Sequence, residues 1–241
     1  MNSHPRVSVA LITHNSEKYL SAQIDSILSN IGPDDEIVVS DDCSTDKTAL
    51  ILKQYASKDP RFHLYFSSEH LGANKNAEKA FSLCAGEFIF HSDDDNVWKP
   101  GKVETVLAVF KANPKVTLVM HDATITDSDL KPVAPSFFAW RKSKPGVFHN
   151  IVRTSYGGSM MAFRSSFKPF VLPFPPEMPF FFDCWLGFMS DKHGKSLFIK
   201  DNLSFWRRHE GTASGGFNGA SKGKKGRIRS RIGIASFLRK H

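Results

Sequence analysis

Short apolar, β-branched runs alternate with amphipathic stretches through the first half of the chain. The runs at Val7–Ile12, Glu36–Ser40, Phe62–Phe66 and Glu87–Phe90 are each short enough for a buried strand. Between them, Glu17–Leu28 places Leu20, Ile24, Ile27 and Leu28 on one helical face. A second helix begins at Asp46 with Ala49, Leu50 and Leu52, and Asn74–Cys84 fits a third. After Pro100-Gly101 a fourth runs to Phe110, followed by a strand at Val116–His121. This alternation predicts the α/β class, with right-handed βαβ units and a mostly parallel sheet. From Asp122 onward it fades, and Leu172-Pro173-Phe174-Pro175-Pro176 and Phe180-Phe181-Phe182 read as an α+β lobe on the same sheet. Gly211–Gly226 reads as a linker. Beyond it, Arg227–His241 forms a basic amphipathic helix with Ile228, Ile232, Ala235 and Leu238 along one side, helped by Ile234 and Phe237.

Composition narrows this picture. A chain of 241 residues, 41% hydrophobic, suits one medium-sized domain with an appendage. Cys43, Cys84 and Cys184 are odd in number and lack CxxC spacing, which argues against a disulfide framework or a zinc site and for a reducing compartment. No apolar stretch approaches the length of a signal segment or a spanning helix. The expected location is the cytoplasm, peripheral on the cytoplasmic face of the inner membrane. From Lys222 onward the chain carries eight basic residues and no acidic one, which leaves 24 of each sign in residues 1–221. A basic amphipathic tail on a neutral body suits an anionic membrane surface. Nucleic acid is not an expected partner, because no base-reading motif accompanies the tail.

The candidate chemistry sits just after the four early strands. Thr13-His14-Asn15, Asp41 to Asp46, Glu69 to Asn76 and Ser92 to Asn96 each follow one of them, and ligands of open α/β sheets bind outside the carboxyl ends of the strands. Thr13, His14, Asn15, Asp42, Lys75 and Asn76 are therefore candidates for holding a ligand, which the resemblance described below implies to be a nucleotide-sugar. Ser44 or Thr45 suits a helix cap, whereas Asp42 has no evident structural task and can accept hydrogen bonds from a base or ribose. Asp93-Asp94-Asp95 delivers three mutually repelling carboxylates to one point, which a hard divalent cation, Mg²⁺ or Mn²⁺, would offset.

Taken in order, several segments resemble family 2 glycosyltransferases of the GT-A fold, over about residues 6–215. They are Val7-Ser8-Val9, Thr13 and Asn15, Asp41-Asp42 with Ser44-Thr45-Asp46, the DxD motif at Asp93 and Asp95, Met161-Ala162-Phe163-Arg164, Leu172-Pro173-Phe174-Pro175, Phe182-Asp183 with Trp185-Leu186-Gly187, and Trp206-Arg207-Arg208-His209. The chain is most similar to the rhamnosyltransferase-like branch of bacterial surface polysaccharide synthesis. Departures are His14 for a common Tyr, Cys43 for Gly, Phe182 for His and Asn96 for a fourth Asp.

The resemblance implies a domain at 1–215, with a nucleotide-sugar-binding half at about 1–121 and an acceptor half at 122–215, ahead of the basic segment at 216–241. It implies a metal-dependent inverting transferase that moves a sugar from a nucleotide diphosphate, dTDP-rhamnose or a UDP-sugar, to a hydroxyl of a surface or lipid-linked glycan. Asp95 and His209 would ligate the metal. Asp93, Asp94, Arg207 and Arg208 would face the donor. Asp183 would be the general base, and its apolar surroundings suit a raised pKa; a capping role for a helix starting at Trp185 fits the same residue. The alternative is a non-catalytic nucleotide-sugar or glycan-binding protein on the same fold. Phe137, Phe138 and Trp140, near Arg141, are candidates for an acceptor wall.

Overall fold

A computed structural model describes residues 5–176, 178–210 and 233–239. In chain order the elements begin with β1 (Val7–Thr13), α1 (Leu20–Leu28), β2 (Glu36–Asp41), α2 (Thr48–Ala56), β3 (Phe62–Phe66), α3 (Ala73–Leu83), β4 (Phe88–Ser92) and β5 (Val97–Trp98). They continue with α4 (Lys102–Ala112), β6 (Leu118–Thr126), β7 (Pro132–Ala134), α5 (Phe137–Arg141), α6 (Val147–Val152), β8 (Met161–Arg164), α7 (Lys168–Val171), α8 (Phe182–His193) and β9 (Ser196–Arg207). A further helix, α9, occupies 233–239. The four early strands and the helices between them lie within a few residues of the positions the hydrophobic pattern predicts.

The strands form one nine-stranded sheet in the order β3-β2-β1-β4-β8-β6-β9-β5, with β7 added to β6. The pairings set β1, β2, β3, β4, β6 and β9 running one way and β5, β7 and β8 the other. This is the mixed, mostly parallel sheet of the GT-A class. Both faces are covered, so β1 is buried throughout and its side chains alternate between two cores. Val7, Val9 and Leu11 pack with Ile24 and Ile27 of α1 and with Val103, Val106 and Phe110 of α4. Ala10 and Ile12 face the opposite core, with Ala77 and Phe81 of α3 and Trp185 and Leu186 of α8.

The pattern misplaces one boundary. β6 runs from Leu118 to Thr126, past the strand end expected at His121. Asp122 is tolerated inside the strand because its carboxylate accepts hydrogen bonds from the amides of Ala123 and Phe138 and from the Ser136 hydroxyl. At the start of α2, it is Asp46 rather than Ser44 or Thr45 that accepts the helix amide, from Thr48 at 2.9 Å.

Of the basic tail expected at 216–241, only 233–239 lies among the described residues. There α9 turns Ile234, Phe237 and Leu238 onto the α8-side core, with the Phe237 ring 5.5 Å from Phe180 and 6.2 Å from Trp185. This part of the tail covers its apolar residues with the protein itself. The remainder of the expected helix, 227–232, and the expected linker at 211–226 lie outside the described residues.

Candidate active site

Because β1, β2, β3, β4 and β9 run in the same direction, the residues after each of them gather on one rim. A cavity of about 840 Å³ opens there, lined by Thr13, His14, Asn15, Asp42, Asn76, Asp93, Asp94, Asp95, Asp183, Arg208 and His209 among others. Its size lies within the range of small-molecule sites. Two expected residues stand outside it. Lys75 points to the outer surface and pairs with Glu78 at 2.7 Å. Arg207 lies behind the acidic loop, donating from Nε to the Asp95 carbonyl (2.6 Å) and from the guanidinium to the Ser128 carbonyl, while its own amide donates to Asn96 Oδ1 at 2.9 Å. It fixes the backbone of the loop.

The three aspartates sit in unequal environments. Asp93 Oδ1 lies 3.0 Å from Nε2 of the fully buried His91, which orients it from below. Asp94 accepts the His14 amide at 2.9 Å. Burial, and next the charge of Asp95, push the Asp94 carboxyl up to about 8. Asp95 is also raised by burial, although the hydrogen bond from His209 opposes the shift. His209 arrives from the end of β9, more than a hundred residues away, with Nε2 at 3.0 Å from Asp95 Oδ2. One oxygen and one nitrogen ligand atom thus converge beside carboxyls that carry unrelieved repulsion. That donor set fits a hard divalent cation that takes its remaining ligands from water and phosphate.

A second convergence differs in character. Ligand atoms of His14, Asp42 and His70 lie within 4.8 Å of one another. Each Asp42 oxygen, however, already accepts a backbone amide, Oδ1 from Leu71 at 2.7 Å and Oδ2 from Gly72 at 2.8 Å. His70 adds an ion-pair contact to Oδ2 at 2.9 Å. Asp42 therefore has a structural task that its sequence context does not reveal: it anchors the loop entering α3, where Gly72 takes φ +84°. The His14 and His70 rings face each other above it, with centroids 4.3 Å apart. Asn15, in the left-handed region at φ 49°, accepts the Thr45 amide. The Thr13 hydroxyl donates to Asp41 at 2.7 Å. Asn76 is 3% exposed and donates to the Thr13 carbonyl, and its Oδ1 has no partner among the described residues.

Asp183 also lines the cavity, from the first turn of α8. The helix amino terminus favours the carboxylate, and the Cys184 amide donates to Oδ1 at 2.7 Å. Burial outweighs both and raises its pKa. Asn74 of α3 fixes this turn from two sides, accepting the Phe182 amide at 2.9 Å and donating to the Phe180 carbonyl at 3.0 Å.

Several lining residues escape a reading of the sequence: Tyr19, Thr154, Tyr156 and Gly157 to Ser159; His70 lies in the expected rim segment Glu69 to Asn76, and Arg141 beside the expected acceptor wall, but neither has a role assigned by the sequence. The Ser159 carbonyl accepts from Nζ of the fully buried Lys102 at 3.0 Å. Phe137, Trp140 and Trp206 form an aromatic wall, with Phe137–Trp206 centroids 5.0 Å apart and Trp140–Trp206 5.9 Å apart. Phe138 is not among the lining residues and stacks on Phe198 behind the wall.

Comparison with known proteins supplies the family. The model of glycosyl transferase family 2 matches residues 8–170, more than half of the chain. The chain belongs to this family. As a family 2 glycosyltransferase it is similar to an uncharacterized glycosyltransferase of Nostoc sp., 26% identical over 235 residues that span 95% of this chain and 72% of the relative. Its fold matches that of S. aureus TarS 1-349 in complex with UDP-GlcNAc, with a TM-score of 0.73 at 20% identity over 96% of this chain and 66% of that one. It also matches the mannosyltransferase PcManGT of Pyrobaculum calidifontis in complex with GDP-Man and Mn²⁺, with a TM-score of 0.63 at 19% identity over 85% of this chain and 57% of that one. No helix among the described residues is long and apolar enough to cross a membrane.

Proposed function

We propose that this glycosyltransferase moves a sugar from a nucleotide diphosphate, a UDP-sugar or dTDP-rhamnose, directly onto a hydroxyl of a surface or lipid-linked glycan, with inversion at the anomeric carbon. The observation that carries the reading is that the Asp95–His209 pair and Asp183 line one and the same cavity. Asp95 and His209 would hold Mn²⁺ or Mg²⁺, and the bound cation supplies positive charge for the departing diphosphate. His14, His70 and Asn76 border the space for base and ribose, with Asp42 fixing the loop beneath them. Arg208 faces the diphosphate side, its guanidinium 4.6 Å from the centre of the Trp206 ring. Asp183 takes the proton of the acceptor hydroxyl, and its raised pKa makes it a stronger base than an exposed carboxylate. The aromatic wall of Phe137, Trp140 and Trp206 offers flat apolar faces to the acceptor sugar. Contact with an anionic membrane would fall to the basic side chains of the tail, since α9 covers its own apolar residues.

The decisive experiment measures release of nucleoside diphosphate from a panel of UDP-, dTDP- and GDP-sugars, with and without Mn²⁺. Metal-dependent release from one donor is the expected result. Nucleotide binding with metal, but no release from any donor with any glycan supplied, would replace this reading with a binding protein on the same fold.

A further inference from the structure

Arg141 ends α5 inside the cavity. Its guanidinium lies 5.4 Å from the centre of the Trp140 ring, and it makes no hydrogen bond or ion pair among the described residues. Other arginines are matched: Arg61 by Asp59, Arg164 by two backbone carbonyls and Arg207 by the carbonyls of Asp95 and Ser128. A half-buried guanidinium whose donors reach no acceptor is costly until an anion reaches them. Its fork geometry matches carboxylate and phosphate.

The electrostatic surroundings place this cation on the acceptor side. Asp183 and Arg153 are the charged groups that act on it most, after burial itself. Arg208, which lines the same cavity, feels the charges of both Arg141 and Asp95. The wider segment agrees. From Lys131 to Pro176 the chain has no Asp or Glu but contains Arg141, Lys142, Lys144 and Arg153, of which the last three are exposed.

We infer that Arg141, seated on Trp140 beside Asp183, forms an anion subsite, and that the acceptor is a glycan bearing a carboxylate or phosphate close to the hydroxyl that is glycosylated. The inference rests on the transferase reading above and names the class of its acceptor. Lys142, Lys144 and Arg153 would receive further negative groups along the same chain.

The test compares binding of methyl β-D-glucuronide, glucose 6-phosphate and methyl β-D-glucoside to the full chain saturated with UDP and Mn²⁺, by saturation-transfer NMR. At least one anionic sugar should bind about tenfold more tightly than the neutral one. The glucuronide alone would assign a carboxylate, and the phosphate alone a phosphate. Arg141→Gln should abolish the difference, and Arg141→Lys should keep part of it. Equal affinity for all three sugars overturns the inference. So does an Arg141→Gln chain that loses UDP while its preference among sugars persists, because the guanidinium would then serve the donor. Arg141-dependent binding of phosphatidylglycerol vesicles without binding of anionic sugars would assign the segment to a bilayer and equally overturn it. Should Arg141→Gln fail to fold, raising salt from roughly 50 to 500 mM on the wild-type chain decides, because only the anionic sugar should weaken. UDP binding in the same samples separates failure of this inference from failure of the donor reading.

Discussion

Gly187 of α8 permits the closest packing contact beside the acceptor side of the cavity, and Gly187→Ala should be destabilising there. A Cβ on this residue would overlap three carbons of the Tyr156 ring. Tyr156 is 3% exposed, its hydroxyl donates to Asp191 at 2.6 Å, and its ring meets Phe188 and Phe198 edge-on at 6.0 and 5.8 Å. It cannot yield without giving up that hydrogen bond. Overpacking costs about 1–3 kcal/mol, and losing a hydrogen bond to a charged group about 1.5–3 kcal/mol. Alanine in place of glycine within a helix returns about 1 kcal/mol, so the net loss is about 2–5 kcal/mol. For a chain of this size that lowers Tm by roughly 4–20 °C, to be read by thermal and urea denaturation. The sign should reverse when Tyr156 is first replaced by Ala, because the propensity gain then acts without a clash. A Gly187→Ala chain that melts at or above wild type in the Tyr156 background would refute the argument.

Three further outcomes follow from the site. Asp183→Asn should lower turnover about 10²–10⁴-fold while UDP still binds. The raised folded pKa makes the ionised carboxyl a burden that grows as pH climbs from the unfolded value through the folded one, so at pH 8 the Asn chain should melt no lower than wild type, and the acid limb of kcat/KM should disappear with the carboxyl. His209→Ala should raise the Kd for Mn²⁺ at least about tenfold by calorimetry, since losing even an outer partner of a metal ligand costs that much; unchanged Mn²⁺ affinity would remove His209 from the ligand set. Asp42→Asn should cost about 1–3 kcal/mol of stability by stranding the Leu71 or Gly72 amide, and a Tm equal to wild type would show that the loop is held by other means.

The early strands were legible because each is a β-branched run buried on both faces, and the polar residues after each announce a rim. Strand β6 was harder to read, since a buried aspartate satisfied by two amides and a hydroxyl looks in sequence like the end of an apolar run. The acidic loop and Asp183 stood out through charge repulsion and apolar context. The pairing of Asp95 with His209 depended on β9 running parallel to β6, a topological fact with no local signal. Arg141, Tyr156 and His70 were illegible as neighbours of one another because tertiary contacts alone bring α5, the chain after α6 and the β3–α3 loop to one cavity. Asp42 illustrates the converse: its composition suggested a ligand contact, and its two amide bonds disclose an anchor.

Asn74 gives the architecture a mechanical property. Within five residues α3 carries the Gly72 turn held by Asp42, the Asn74 bonds to the first turn of α8, and Asn76 facing the cavity. One turn of helix therefore works as a gauge block, setting the spacing between the rim proposed for the nucleoside and the carboxylate proposed as the base. Exchanging the nucleotide pocket between related chains should preserve catalysis only if this turn travels with it, and acceptor variants selected in α8 should tolerate any donor pocket that keeps its length.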